Sequence, residues 1–236
     1  MKNIIKLSLC MIAMLVSIYL IYYHYKDNPV VNYDDYISRN DDNFEMISNL
    51  RTKYNNNEII MYIELPDVFS IPIVQTENNT YYLEHNIYKE SSVDGSPFLD
   101  FRNKSLHDRK LIIYGDNKMD KTLPLSNFVS YQDKNFYSNH PSITVYTDHS
   151  KKTYTIFSVF IPEDESYLEI NGFPGSEFEE HLKSLKERSM YDTGVFVEDN
   201  AKIIVFRICT KESGCNTNTD YQVVVAKENK PNKDKW

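Results

Sequence analysis

From residue 58 onward the sequence predicts an all-β domain, a barrel or a sandwich. Three observations predict it. Short runs rich in β-branched and aromatic residues recur, each bounded by clusters of Asn, Asp, Ser or Pro. Only one stretch in this region, Glu177–Met190, has a helical pattern with matching end signals. The last two apolar runs, Ile203–Ile208 and Tyr221–Ala226, flank a long polar loop, as two strands with a connection would.

The chain has 236 residues, which suits one domain plus an appendage, and its 41% hydrophobic content is enough for a core. With only 6 Gly it carries no GxGxxG or GxxxxGK[ST] phosphate loop. A formal net charge of −8 argues against nucleic acid as a partner, because a phosphate backbone requires a basic face. The three cysteines are Cys10, Cys209 and Cys215, and none has the spacing of a zinc site. No metal or organic cofactor is expected.

Taken in order, residues 1–25 read as a membrane anchor. After Lys2 and Lys6, the run from Leu7 to Tyr23 is almost purely apolar, about the length of a bilayer-spanning helix. A cleaved signal peptide is the rival reading, but no small-residue cleavage site follows. The positive flank then predicts a cytoplasmic N-terminus and an extracellular domain. Residues 26–57 read as a polar stalk with a helix, in which Phe44, Ile47, Leu50 and Tyr54 share one face and Asn55-Asn56-Asn57 ends it. Residues 58–227 form the β-domain. Its strands are expected at Ile59–Leu65, Ile71–Val74, Ser96–Phe101 and Leu111–Tyr114, and in a hairpin of Ile143–Tyr146 with Thr153–Phe160. Then come the helix, capped by Ser176, and the two closing strands. Residues 228–236 read as a frayed tail.

Cys209 sits at the end of a predicted strand, where a side chain is held rigidly yet a substrate can reach it. That makes it a candidate nucleophile. Arg207, two residues earlier, shares its face and would stabilise a thiolate, or else pairs with a surface carboxylate. Cys215 is either a bystander or a disulfide partner that would block Cys209. His107, His140 and His149 fall in loops or at strand edges and read as exposed histidines, the alternative being a relocated acid/base.

Several segments resemble the class B sortases, membrane-anchored cysteine transpeptidases of Gram-positive bacteria. They are Ile71-Pro-Ile-Val-Gln75, Asn79-Thr-Tyr-Tyr-Leu83, Gly95-Ser-Pro-Phe-Leu-Asp-Phe-Arg-Asn103, Leu111-Ile-Ile-Tyr-Gly-Asp-Asn117 and Ile208-Cys-Thr-Lys-Glu212. The resemblance covers about Glu58 to Ala226. It implies a sortase-type closed β-barrel with an N-terminal helix and a helical insertion before the cysteine strand. It also implies that Cys209 attacks a sorting-signal peptide to form a thioester, which a cell-wall amine then resolves. The family's histidine position reads Asp116. Its arginine position reads Gln222, or Tyr221 if the loop shifts by one, and Ile208 replaces the family's threonine. An Asp is an anion at neutral pH and cannot protonate a leaving amine. The resemblance further implies that Leu83, Tyr167 and Leu168 line the peptide channel and that Glu212 is an acidic loop residue of the site; the alternatives are core for Leu83 and a surface aromatic for Tyr167. Three readings follow: a transpeptidase with an impaired or rearranged site, an inactive pseudo-sortase that binds peptide or protein, or a structural domain.

Overall fold

The computed structural model describes residues 11, 13–19, 45–115, 123–170, 173, 176–211 and 214–230. The chain divides into two units, Met1–Asn32 and Tyr33–Trp236. In the first, residue 11 and residues 13–19 are helical and exposed. Among the described residues no helix is long and apolar enough to cross a membrane. The expected anchor over residues 1–25 is therefore corrected. With it fall the single-pass localisation, the cytoplasmic N-terminus with an extracellular domain, and the membrane partnership through that helix. The tail expected at 228–236 begins with Glu228 still in a strand, and its residues 231–236 lie outside the described residues.

The second unit opens with α1 (Met46–Tyr54), on which Ile47, Leu50 and Tyr54 are buried, as their spacing predicts; Phe44 lies outside the described residues. Asn55 takes a left-handed conformation, φ 48°, and the backbone N–H at this cap closes on the carbonyls of Arg51 and Thr52. Arg51 holds the helix to the barrel: its Nε donates to the Ile59 carbonyl at 2.7 Å and its two terminal nitrogens reach both carboxylate oxygens of Asp148 at 2.9 Å.

Eight strands follow: β1 (Ile59–Leu65), β2 (Phe69–Val74), β3 (Phe98–Leu99), β4 (Lys110–Gly115), β5 (Ser142–Thr147), β6 (Ser150–Phe160), β7 (Ile203–Cys209) and β8 (Tyr221–Glu228). They close a barrel in the order β1-β2-β3-β4-β7-β8-β6-β5. The pairs β2/β3 and β4/β7 are parallel and the others antiparallel. The mainly β closed barrel is thus as the sequence predicts.

Three elements differ from expectation, each for a local reason. β3 is shorter than Ser96–Phe101 because the Ser96 N–H is committed to the Tyr82 carbonyl and the Asp100 carboxylate turns the chain by accepting from the Arg102 N–H. Helix α3 (Glu177–Glu187), numbered after α2 (Lys134–Asn139), stops before Met190 because the Met190 N–H bonds the Val159 carbonyl of β6. Ser176 takes its N-cap position without a side-chain cap bond. The region 124–139, not assigned from sequence, holds a 3-10 helix over Pro124–Gln132 and then α2, whose cap Asp133 accepts from the Asn135 N–H.

The core has two parts, one on each face of the strands. Ile204, Phe206 and Ile208 of β7 enter the barrel interior, with Leu125 and Phe128 of the 3-10 segment packed among them. Ile203 and Val205 face outward, where Phe178, Leu182 and Leu185 of α3 cover them. Strand period two therefore decides which β7 residues remain for a site: beyond Val205, the outward positions are Arg207 and Cys209.

Candidate functional site

The site is built on the ends of β7 and β8. In their antiparallel register Cys209 faces Tyr221, Ile208 faces Gln222 and Arg207 faces Val223. Directly opposed residues share a face, so Tyr221 joins Arg207 and Cys209 on the outside. Gln222 points into the barrel and is fully buried. It donates Nε2 to the Phe128 carbonyl at 2.6 Å and accepts from Gln132 Nε2 at 2.9 Å. Of the two residues read for the family's arginine position, Tyr221 stands across from the cysteine, while Gln222 joins the wall to the 3-10 segment.

Arg207 is held on three sides. Its guanidinium carbon lies 3.6 Å from the Tyr221 ring centroid and 5.9 Å from that of Tyr114. Its Nε donates to the Tyr167 hydroxyl at 2.9 Å, and Nη2 approaches Glu165 Oε1 at 3.4 Å. The pairing with a carboxylate read from sequence is present, but Glu165 is largely exposed, so this ion pair is weak beside the aromatic contacts. Tyr167 is fully buried in the outer core, not a surface aromatic. Burial pushes its hydroxyl up to about 12, against the pull of Arg207, so it stays a neutral phenol.

Cys209 is bonded to Cys215 in a disulfide with the two Cα atoms 5.7 Å apart. Cys209 is 5% exposed and Cys215 half-buried. The loop between the strands is closed by other groups as well. Both the N–H and the hydroxyl of Thr210 donate to the Asp220 carbonyl, at 2.8 and 2.6 Å. The Asp220 carboxylate accepts from the N–H groups of Asn216 and Thr217 and from the Thr217 hydroxyl. These bonds hold that carboxyl below the usual range.

Two of the sequence-predicted residues, Asp116 and Glu212, lie outside the described residues. Gly115, which precedes Asp116, pairs with Ile208 in the parallel β4/β7 ladder. Leu83 ends a short 3-10 turn, Tyr81–Leu83, and is 48% exposed rather than core. Leu168 packs partly against the outer core, and its carbonyl accepts from Arg102 at 3.2 Å. His107 and His149 are exposed, and His140 caps α2 with Nδ1 against the Phe136 carbonyl. Among the described residues no group of three or more His, Cys, Asp or Glu could hold a metal.

Two buried polar groups escaped the sequence reading. Arg102 grips both oxygens of the fully buried Asp100, which also accepts from the Tyr114 hydroxyl at 2.7 Å. Lys110, 1% exposed, donates Nζ to the Glu169 carbonyl at 2.7 Å and to His181 Nε2 at 2.8 Å. Burial lowers the lysine to about 7. Burial, then the nearby Lys110 charge, lowers the histidine to about 3. A lone charged residue at a strand start carries no periodic signal, so nothing in the sequence marked Lys110. Both groups tie the 166–170 segment, and with it Tyr167, to β4.

No family model matches the chain. It is 31% identical over 170 residues to Sortase B of Listeria monocytogenes, covering 71% of this chain and 66% of that one. It is 26% identical over 175 residues to Sortase B of Staphylococcus aureus, covering 73% of this chain and 70% of that one. The chain thus spans about two thirds of the length of these curated relatives. Among solved structures, sortase B of Clostridium perfringens superposes with a TM-score of 0.69 at 27% identity, covering 78% of this chain and 99% of that chain.

Proposed function

Because this chain belongs to the class B sortases, we propose that its barrel presents Cys209 to a sorting-signal peptide and transfers the acyl group to a cell-wall amine, on a rearranged and slow site. The observation that carries this reading is Arg207. It places a guanidinium on the outer face two residues from Cys209 and over Tyr221, the residue opposite that cysteine. With the sulfur free, the Cys209 thiolate attacks the peptide carbonyl carbon and the developing oxyanion is met by Arg207. The C–N bond then breaks, leaving a thioester. The family's histidine position reads Asp116, so no imidazole stands there to protonate the leaving amine and that proton comes from solvent; lack of a positioned acid costs roughly 10²–10⁴ in rate. The acceptor amine attacks the thioester and restores the thiol. Leu83, Tyr167 and Leu168 are proposed on the peptide side, Tyr167 through its hold on Arg207.

One observation favours a second reading, a pseudo-sortase that binds without catalysis: the Cys209 sulfur is occupied by Cys215. A sorting-peptide analogue bearing a thiol-reactive group separates the two. Under reducing conditions it is expected to label Cys209 in the wild type and nothing in Cys209→Ala. Absence of labelling and of peptide cleavage, with peptide binding intact in Cys209→Ala, would leave the binding module standing.

A further inference from the structure

We infer that Cys215 is a resolving cysteine and the entry point for a small external thiol, whose attack opens the Cys209–Cys215 bond and frees Cys209. The inference deepens the proposed transfer, since Cys209 is that reaction's sulfur. Four observations carry it. Accessibility comes first: Cys209 is 5% exposed while Cys215 is half-buried, between exposed Gly214 and Asn216. The Cys215 end is therefore the more open of the two to a thiolate.

The bond is also dispensable to the loop. It spans a separation of six residues, and the same two strand ends are already joined by Thr210 and Asp220. The return to β8 is organised by the Asp220 carboxylate and by the Tyr221 hydroxyl, which donates to the Cys215 carbonyl at 3.2 Å. Reduction, moreover, leaves neither sulfur without an acceptor. The Asp220 carbonyl oxygen lies 2.9 Å from Cys215 Sγ, and the Lys211 carbonyl oxygen 3.6 Å from Cys209 Sγ, so each thiol finds a partner in place. Finally, Arg207 shares the outer face with Cys209 and favours its departure as a thiolate.

The exchange balances. The incoming thiolate R–S⁻ forms a bond to Cys215 Sγ, the protein S–S bond breaks, and its electron pair leaves on Cys209 Sγ. A second thiol then displaces the mixed disulfide, releasing R–S–S–R and the Cys215 thiol. Two electrons and two protons pass from two external thiols to the protein. Reoxidation is the reverse, with a small disulfide as acceptor.

The test uses the full chain purified without reductant, iodoacetamide as the trap, and peptide-resolved mass spectrometry to separate Cys10 from the pair. Cys209 is expected to be unlabelled at the start. With limiting glutathione as the monothiol probe, the mixed disulfide is expected on Cys215 and the label on Cys209. Cys215→Ser should give a Cys209 that alkylates without any reductant, at least tenfold faster than in the oxidised wild type, with an unchanged circular dichroism spectrum. A mixed disulfide on Cys209, or a Cys209 already open in the unreduced chain, overturns the inference. Because these readouts contain no peptide, a chain that passes them yet is never acylated would remove the transfer reading and leave the switch. A chain in which only Cys215→Ser fails them, while acylation persists, would do the opposite.

Discussion

Replacing Lys110 by Met tests whether a buried amine, and not packing alone, sets the pH dependence of this barrel. The side chain is 1% exposed, and burial lowers it from 10.5 to about 7. Between those values the unfolded chain holds a proton that the folded chain has released. Stability therefore rises with pH across that window and is lowest below about 7, where the amine is charged inside the protein. At about 1.4 kcal/mol per pKa unit the whole window is worth about 5 kcal/mol, of which about 3 kcal/mol falls between pH 7 and 9. Lys110→Met removes this dependence. It also leaves the Glu169 carbonyl and His181 Nε2 without their donor, at a cost of about 1–3 kcal/mol each. At pH 9 the variant should therefore be clearly less stable than the wild type, and near pH 6 the two should approach or cross. Urea unfolding followed by circular dichroism in parallel buffers reads the difference; groups distant from Lys110 cancel in it, and the window from pH 7 to 9 lies above the range in which His181 titrates. Stability profiles that run parallel from pH 7 to 9, within about 0.5 kcal/mol, would refute the claim that the lysine is neutral in the folded state.

Four further outcomes are expected. Arg207→Met should slow peptide-analogue labelling of reduced Cys209 by roughly tenfold or more, the scale of one charge-assisted bond, with Arg207→Lys recovering part of it; equal rates in all three chains would remove Arg207 from the site. Gln222→Leu strands the Phe128 carbonyl and the Gln132 amide, so it should lower unfolding stability by about 1–3 kcal/mol in a denaturant titration. Gly115→Ala places a Cβ 2.6 Å from Leu125 Cδ1 and 3.3 Å from Ile208 Cδ1, which should cost about 1–3 kcal/mol of stability by overpacking. For Asp100, burial alone would raise the carboxyl, but hydrogen bonds from Arg102 and Tyr114 prevail and hold it below 3.8. Its contribution is present above the usual carboxylate range and is lost as pH falls through the lowered value. Asp100→Asn should therefore flatten the acid limb of the stability profile, and an acid limb identical to wild type would count against the pairing.

The barrel was legible because its strands are apolar, β-branched runs set between polar clusters. Ile203–Ile208 and Tyr221–Ala226 read as strands in this way, and α3 announces itself through Phe178, Leu182 and Leu185 on one side and acids in its first turn. Where periodicity is absent the reading thinned. Pro124–Gln132 is a 3-10 segment whose buried Leu125, Phe128 and Tyr131 follow no strand pattern, and β3 is too short to show one. The apolar run at the N-terminus misled through its length: among the described residues no helix is long and apolar enough to cross a membrane. At the site, Cys209 could be found from its place at a strand end. Which of Tyr221 and Gln222 faces outward could not, because a shift of one residue reverses every side chain of β8; the register puts Tyr221 opposite Cys209 and Gln222 opposite Ile208.

That same register explains how a cation can reach the cysteine from a different strand. On the outer face Tyr221 lies directly across from Cys209 on β8, and Arg207 lies two residues back on β7. Cross-strand neighbours lie roughly 5 Å apart at Cβ and same-face neighbours along a strand about 7 Å. A guanidinium on its long stem spans either distance, so the charge can be delivered from β7 as well as from β8. An aromatic ring opposite the cysteine then gives it a surface on which to rest. The structure has that arrangement, with the Arg207 guanidinium on Tyr221 and its Nε fixed by Tyr167. Among the described residues, His107 and His149 are exposed and His140 is spent on capping α2, so none of these three is proposed as a relocated proton donor. On the proposed function the asymmetry has a consequence: attack of a Cys209 thiolate on an electrophilic peptide analogue, which needs the thiolate and an oxyanion partner, should be faster relative to cleavage of a true peptide, whose thioester forms only as the amine is expelled and which therefore needs an acid.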